Sequence, residues 1–166
     1  MLEIYVLGGD KMLNNGLLNP KEFEVDEDCC EDIGRGMDAC KKLIDRWTPE
    51  LEAQMLNAFI KLYYDDMYEQ WGPDDEEESK EYWPEIKSPA DLVKHTGTAV
   101  NIYALEDSIY AKSKTDKNKY ESKNIDVCVI LELHCPWDNE HGWAAVFVDE
   151  KFIKVGRDIV DCVYLD

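Results

Sequence analysis

Residues 125–156 read IDVCVILELHCPWDNEHGWAAVFVDEKFIKVG, three apolar runs separated by two turn-like breaks. Short β-favouring runs joined by such breaks predict consecutive hairpins, and hence an antiparallel sheet. In the first run Val127, Val129, Leu131, Leu133 and Cys135 alternate with Cys128, Ile130, Glu132 and His134. One face is therefore wholly apolar, and the other turns polar towards its end, pointing Glu132 and His134 away from the main core. The second run, Trp143 to Val148, is apolar on both faces and is predicted to be central in the sheet. Asp149-Glu150-Lys151 fits a short hairpin turn and Phe152 to Val155 the returning strand. Val100 to Leu105 is predicted as an earlier strand and Ile159 to Leu165 as a closing one.

Upstream the period changes. Leu2 to Leu7 is a short β-favouring run, and Phe23 to Val25 is predicted to return beside it as an N-terminal hairpin. From Asp28 the pattern is helical: Ile33, Met37, Cys40, Leu43, Ile44 and Trp47 recur at three- and four-residue steps. Thr48-Pro49-Glu50 then supplies an N-cap hydroxyl, proline at the first helical position and an acid in the first turn. Leu51, Met55, Phe59, Leu62 and Met67 mark one face of an amphipathic helix predicted to run to about Trp71, where Gly72-Pro73 stops it. The acids from Asp74 to Glu78 repel one another and predict an exposed, mobile loop. Ser88-Pro89-Ala90-Asp91 is a capping box opening a short helix that ends near Gly97. Ser113 to Lys123 is polar, lacks periodicity and is predicted to be a loop. The expected fold class is α+β, an antiparallel sheet with a long amphipathic helix and shorter helices packed on one face, in a single domain spanning 1–166.

Charge narrows the partners. The 37 acidic residues against 18 basic ones leave a formal net charge of −19. Such a field repels nucleic acid and anionic membranes and favours encounter with basic partners; solubility alone accounts for it, and a basic protein partner or mimicry of a nucleic acid's charge are the sharper readings. No stretch approaches the roughly 20 apolar residues of a membrane span. MLEIYVLGGDK has no basic leader before a sustained apolar core, which predicts a cytoplasmic chain with reduced cysteines. No CxxC pair occurs among its six cysteines, so a structural zinc is not expected, and no cofactor is assigned.

The densest cluster of chemically capable side chains is the bend Pro136-Trp137-Asp138-Asn139-Glu140-His141-Gly142. As a structural corner, Trp137 would cover the end of the core, Asp138 would bond backbone amides, His141 would pair with an acid, and Gly142 would supply a positive φ. As a catalytic site, His141 would act as general base, oriented by Glu140 or Asp138, with Cys135 as nucleophile. As a metal site, His134, Cys135, Asp138 and His141 are suitable ligands by type, although strand alternation sends His134 and Cys135 to opposite faces. As a recognition site, Trp137 and Trp143 are anchors of the kind enriched at binding hot spots. The candidate binding residues are Trp137, Asp138, Glu140, His141 and Trp143, with no catalytic or metal residue assigned.

The pattern Trp137-Asp138-x-Glu140-His141-Gly142, followed by an apolar strand, a short turn and Val155-Gly156, resembles an uncharacterised group of bacterial domains of unknown function carrying a WDxEHG signature. The likeness extends upstream through Tyr63-Tyr64, the acidic stretch and the segment from Glu85-Ile86 to Leu92, covering roughly Trp47 to Gly156. Trp143-Ala144-Ala145 departs from the smaller aliphatic run more usual there. The resemblance implies an α+β fold in a small cytoplasmic bacterial protein and suggests an immunity-like role, without bringing an activity. Two functions are therefore expected: a non-enzymatic protein binding a basic protein partner, or a hydrolase or metal-dependent enzyme centred on His141 and Glu140.

Overall fold

The computed structural model describes residues 16–26, 33–106, 127–138 and 142–157. Its sheet runs β1 (Glu24–Val25), β2 (Val100–Glu106), β3 (Val127–Leu133), β4 (Trp143–Val148) and β5 (Lys151–Gly156), in that spatial order. The pairs β2–β3, β3–β4 and β4–β5 are antiparallel, as the hairpin pattern predicts. β1 differs: it lies parallel to β2, with Glu24 opposite Asn101 and Val25 opposite Ile102. Phe23 to Val25 thus does lead into a strand, but one paired with a distant segment. The predicted partner run Leu2 to Leu7 lies outside the described residues, as do Ser113 to Lys123 and the predicted strand Ile159 to Leu165.

Register explains which side chains meet. Ile102, Leu131, Ala145 and Val155 form one row across four strands and face the main core. Tyr103, Ile130, Val146 and Lys154 form the next row and face the other way. Between Val146 and Phe147 the register with β5 slips, so Ile153 has no partner and stands 42% exposed. That bulge places Phe152 opposite Phe147 on the core side, three residues before Val155 on the same side. β4 is buried on both faces, as its uniform apolarity predicts. On the second face Cys128, Ile130, Ala144 and Val146 pack with Tyr103, whose hydroxyl donates to Glu132 at 2.8 Å.

The main core fills the space between the opposite sheet face and the helices. α1 (Ile33–Asp45) contributes Met37, Cys40 and Leu43, and α2 (Pro49–Leu62) contributes Met55, Leu56 and Phe59. The Thr48 hydroxyl accepts the Leu51 N–H at 3.2 Å and Pro49 opens α2, so the helix starts where its cap residues predict. It does not continue unbroken to Trp71. At Tyr63–Tyr68 the backbone widens into a π-helical turn, followed by the short α3 (Glu69–Trp71). The wider turn keeps Tyr63, Tyr64 and Tyr68 within 5.0–5.8 Å of one another by ring centroid. At Gly72 a β-carbon would run into the Tyr68 carbonyl, which is why the chain leaves the helix at a glycine.

Of the acids that predict a mobile loop, Glu76 to Glu78 instead form the first turn of α4 (Glu76–Glu81). Asp75 caps it, its carboxylate accepting from the Glu77 and Glu78 N–H groups at 2.9 Å each. Acids in a first turn face the positive end of the helix dipole, and this local gain opposes their mutual repulsion. α5 (Pro89–Thr96) follows the capping prediction, with the Asp91 N–H donating to Ser88 and Gly97 at φ 75° closing it. No helix among the described residues is long and apolar enough to cross a membrane.

The β4–β5 connection is a two-residue turn in which Asp149 and Glu150 both have positive φ, 49° and 58°. This geometry suits the twist of a hairpin but favours glycine at the second position. Glu150 occupies it while pairing with Arg46 at 2.9 Å. Glu150→Gly should therefore unfold at a free energy about 1 kcal/mol above Glu150→Ala, which keeps the backbone strain and loses the ion pair. Equal denaturation midpoints for the two variants would show that the turn is unstrained.

Candidate functional site

The bend between β3 and β4 is built from its strand ends inwards. Cys135 continues the core-facing alternation of β3 and is buried, whereas His134 is exposed on the opposite side. The Asp138 N–H donates to the Cys135 carbonyl at 3.1 Å, closing a tight turn around Pro136 and Trp137. Gly142 re-enters the sheet at φ 61°, the positive value its position predicts.

Three of the five candidate binding residues are interior. Trp137 stacks edge-on against Tyr63 at 4.8 Å and against Trp143 at 5.4 Å. Trp143 is fully buried, lying 6.1 Å from Phe59 in a stacked arrangement. The Asp138 carboxylate accepts the Trp143 indole N–H at 3.3 Å and stands 3.5 Å from the Arg157 guanidinium. Asp138 thus serves side chains from the start of β4 and from the residue just past β5, tying the bend to the far side of the next hairpin. The Trp137 indole N–H is buried and finds no acceptor among the described residues, a deficit of about 1–3 kcal/mol set against extensive ring packing. Glu140 and His141 lie outside the described residues.

Cys135 is unsuited to the nucleophile's role. Burial, reinforced by the nearby Asp138 carboxylate, pushes its thiol far above the ordinary value, whereas a nucleophilic cysteine needs ready access to the thiolate. Burial also pushes Cys128 up, to about 11. Both groups hold their protons more tightly in the folded chain than in the unfolded one. Their stabilising contribution is full below the free-thiol value of 9.0 and is lost as pH rises through about 11 for Cys128, and higher for Cys135. Neither thiol should react with iodoacetamide in native protein at pH 8, and both should label on unfolding; mass mapping that finds Cys135 alkylated at a free-peptide rate would contradict this. Among the described residues no three His, Cys, Asp or Glu side chains are grouped to hold a metal ion.

Two polar centres escape a reading by motif. Glu52 is 4% exposed, and its carboxylate accepts the Leu17 N–H at 2.6 Å, the Leu18 N–H at 3.1 Å and the Trp47 indole N–H at 3.3 Å. Its signal lies in spacing, because Glu52 precedes Met55, Leu56 and Phe59 on the apolar face of α2. The second is an aromatic clasp. The Tyr63 hydroxyl donates to the Pro84 carbonyl at 2.8 Å, the Tyr64 hydroxyl donates to the Ile86 carbonyl at 3.1 Å, and Tyr64 accepts the Ile86 N–H at 2.9 Å. Trp83 packs against Tyr63 and Tyr68, at 5.9 and 6.3 Å. The clasp joins both ends of the segment containing α3 and α4. Burial pushes the Tyr63 hydroxyl well above the usual tyrosine value, with Tyr64 and Tyr68 adding to the shift, so it remains a donor.

No curated protein and no solved structure matches the chain. A family model does match, over residues 17–161, a span wider than the resemblance read from Trp47 to Gly156 and one that takes in the backbone held by Glu52. The chain belongs to the family described as a domain of unknown function, DUF6985.

Proposed function

We propose that this is a non-enzymatic, cytoplasmic protein of bacterial, immunity-like type that binds a basic protein partner through the acidic segment from Tyr63 to Ile86. The observation that carries the reading is the concentration of charge on clasped backbone. Ten acids and one lysine in this segment account for nine of the nineteen net negative charges. Glu69, Asp74, Asp75, Glu76, Glu77 and Glu85 are exposed, while the tyrosine and tryptophan contacts hold the segment's two ends together. Acids displayed on structured backbone attract a cationic surface with little additional loss of conformational entropy on docking. Trp137 and Trp143 contribute from beneath by packing against Tyr63, and Asp138 fixes the corner behind them through the Trp143 indole.

The test uses a partner captured from the native host and two neutralised variants. Asp74→Asn, Asp75→Asn, Glu76→Gln and Glu77→Gln together keep an N-cap at position 75 and remove four charges. Association should slow by about tenfold at low salt, with a shallower salt dependence. Neutralising the exposed Glu24, Asp38, Asp45 and Glu50 instead removes the same charge elsewhere. Equal effects of the two variants, or an association rate insensitive to salt, would overturn the assignment of the surface.

A further inference from the structure

We draw no further inference here: the strongest candidate, the groove between α2 and β5 lined by Ala58, Leu62, Phe152, Ile153 and Val155, carries no proposal because nothing in the structure shows what covers it.

Discussion

Glu52→Ala should lower the free energy of unfolding by about 3–5 kcal/mol, a large part of the 5–15 kcal/mol typical of a folded domain. The substitution strands three donors at once: two backbone N–H groups at Leu17 and Leu18 and the Trp47 indole. These residues sit where the chain enters the sheet. Leu18 and Phe23 are core residues, and Phe23 packs edge-on against Trp47 at 5.1 Å. Losing the carboxylate therefore loosens the attachment of β1 as well as the start of α2. Glu52→Gln keeps the volume but turns an NH₂ group towards N–H donors, so a smaller loss of about 1–3 kcal/mol is expected. Gly16 supplies an independent check. A β-carbon there would come within 2.7 Å of a Glu52 carboxylate oxygen. Three N–H donors keep that carboxylate from swinging aside, so Gly16→Ala should cost stability in the native sequence and little beside Glu52→Ala. Chemical denaturation of the four-member cycle measures the coupling; additive effects would show that the carboxylate is not fixed against Gly16, and a Glu52→Ala loss under about 1 kcal/mol would show that it does not hold this segment.

Asp138→Ala is the second large effect, with an expected loss of about 2–4 kcal/mol. Trp143 is fully buried, so its indole N–H has no water to replace the missing acceptor. Arg157 is nearer solvent and contributes less, so Arg157→Ala should cost about 1 kcal/mol or less. Asp138→Asn retains an acceptor for the indole and should fall between the native protein and the alanine variant. Pairing Asp138→Ala with Trp143→Phe, which removes the donor, should recover part of the sum of the single losses. An Asp138→Ala protein within about 0.5 kcal/mol of the native one would mean that the bend is not held by this carboxylate.

These two acids show where a linear reading stops. Glu52 sits in the first turn of a capped helix, where an acid suits the dipole and no special role is required. Only the approach of Leu17 and Leu18, 34 or more residues earlier in the chain, turns it into an internal acceptor. Asp138 is visibly part of a turn, yet its carboxylate meets Trp143 and Arg157, the latter reached through a complete hairpin. The α2 periodicity likewise extends past Leu62, but the packing of three tyrosines and Trp83 determines where α-helix gives way to a π-helical turn. In α4 the error is one of balance: counting like charges predicts a loop, whereas a single capping aspartate organises a turn of helix.

Alternation and capping residues alone determined the strands from Val100, Val127 and Trp143 onwards, the return of the chain through Phe152 to Val155, the starts of α2 and α5, and the two-sided burial of β4, although β3 and not β4 is the middle strand. Those features depend on residues within one turn or one strand of each other, so local chemistry suffices. The parallel seat of β1, the bulge at Ile153, the burial of Glu52 and the clasp of Tyr63 and Tyr64 on residues 84–86 were decided only in three dimensions. Each depends on which distant groups arrive at a buried acceptor, donor or ring, and periodicity along the chain carries no record of those meetings.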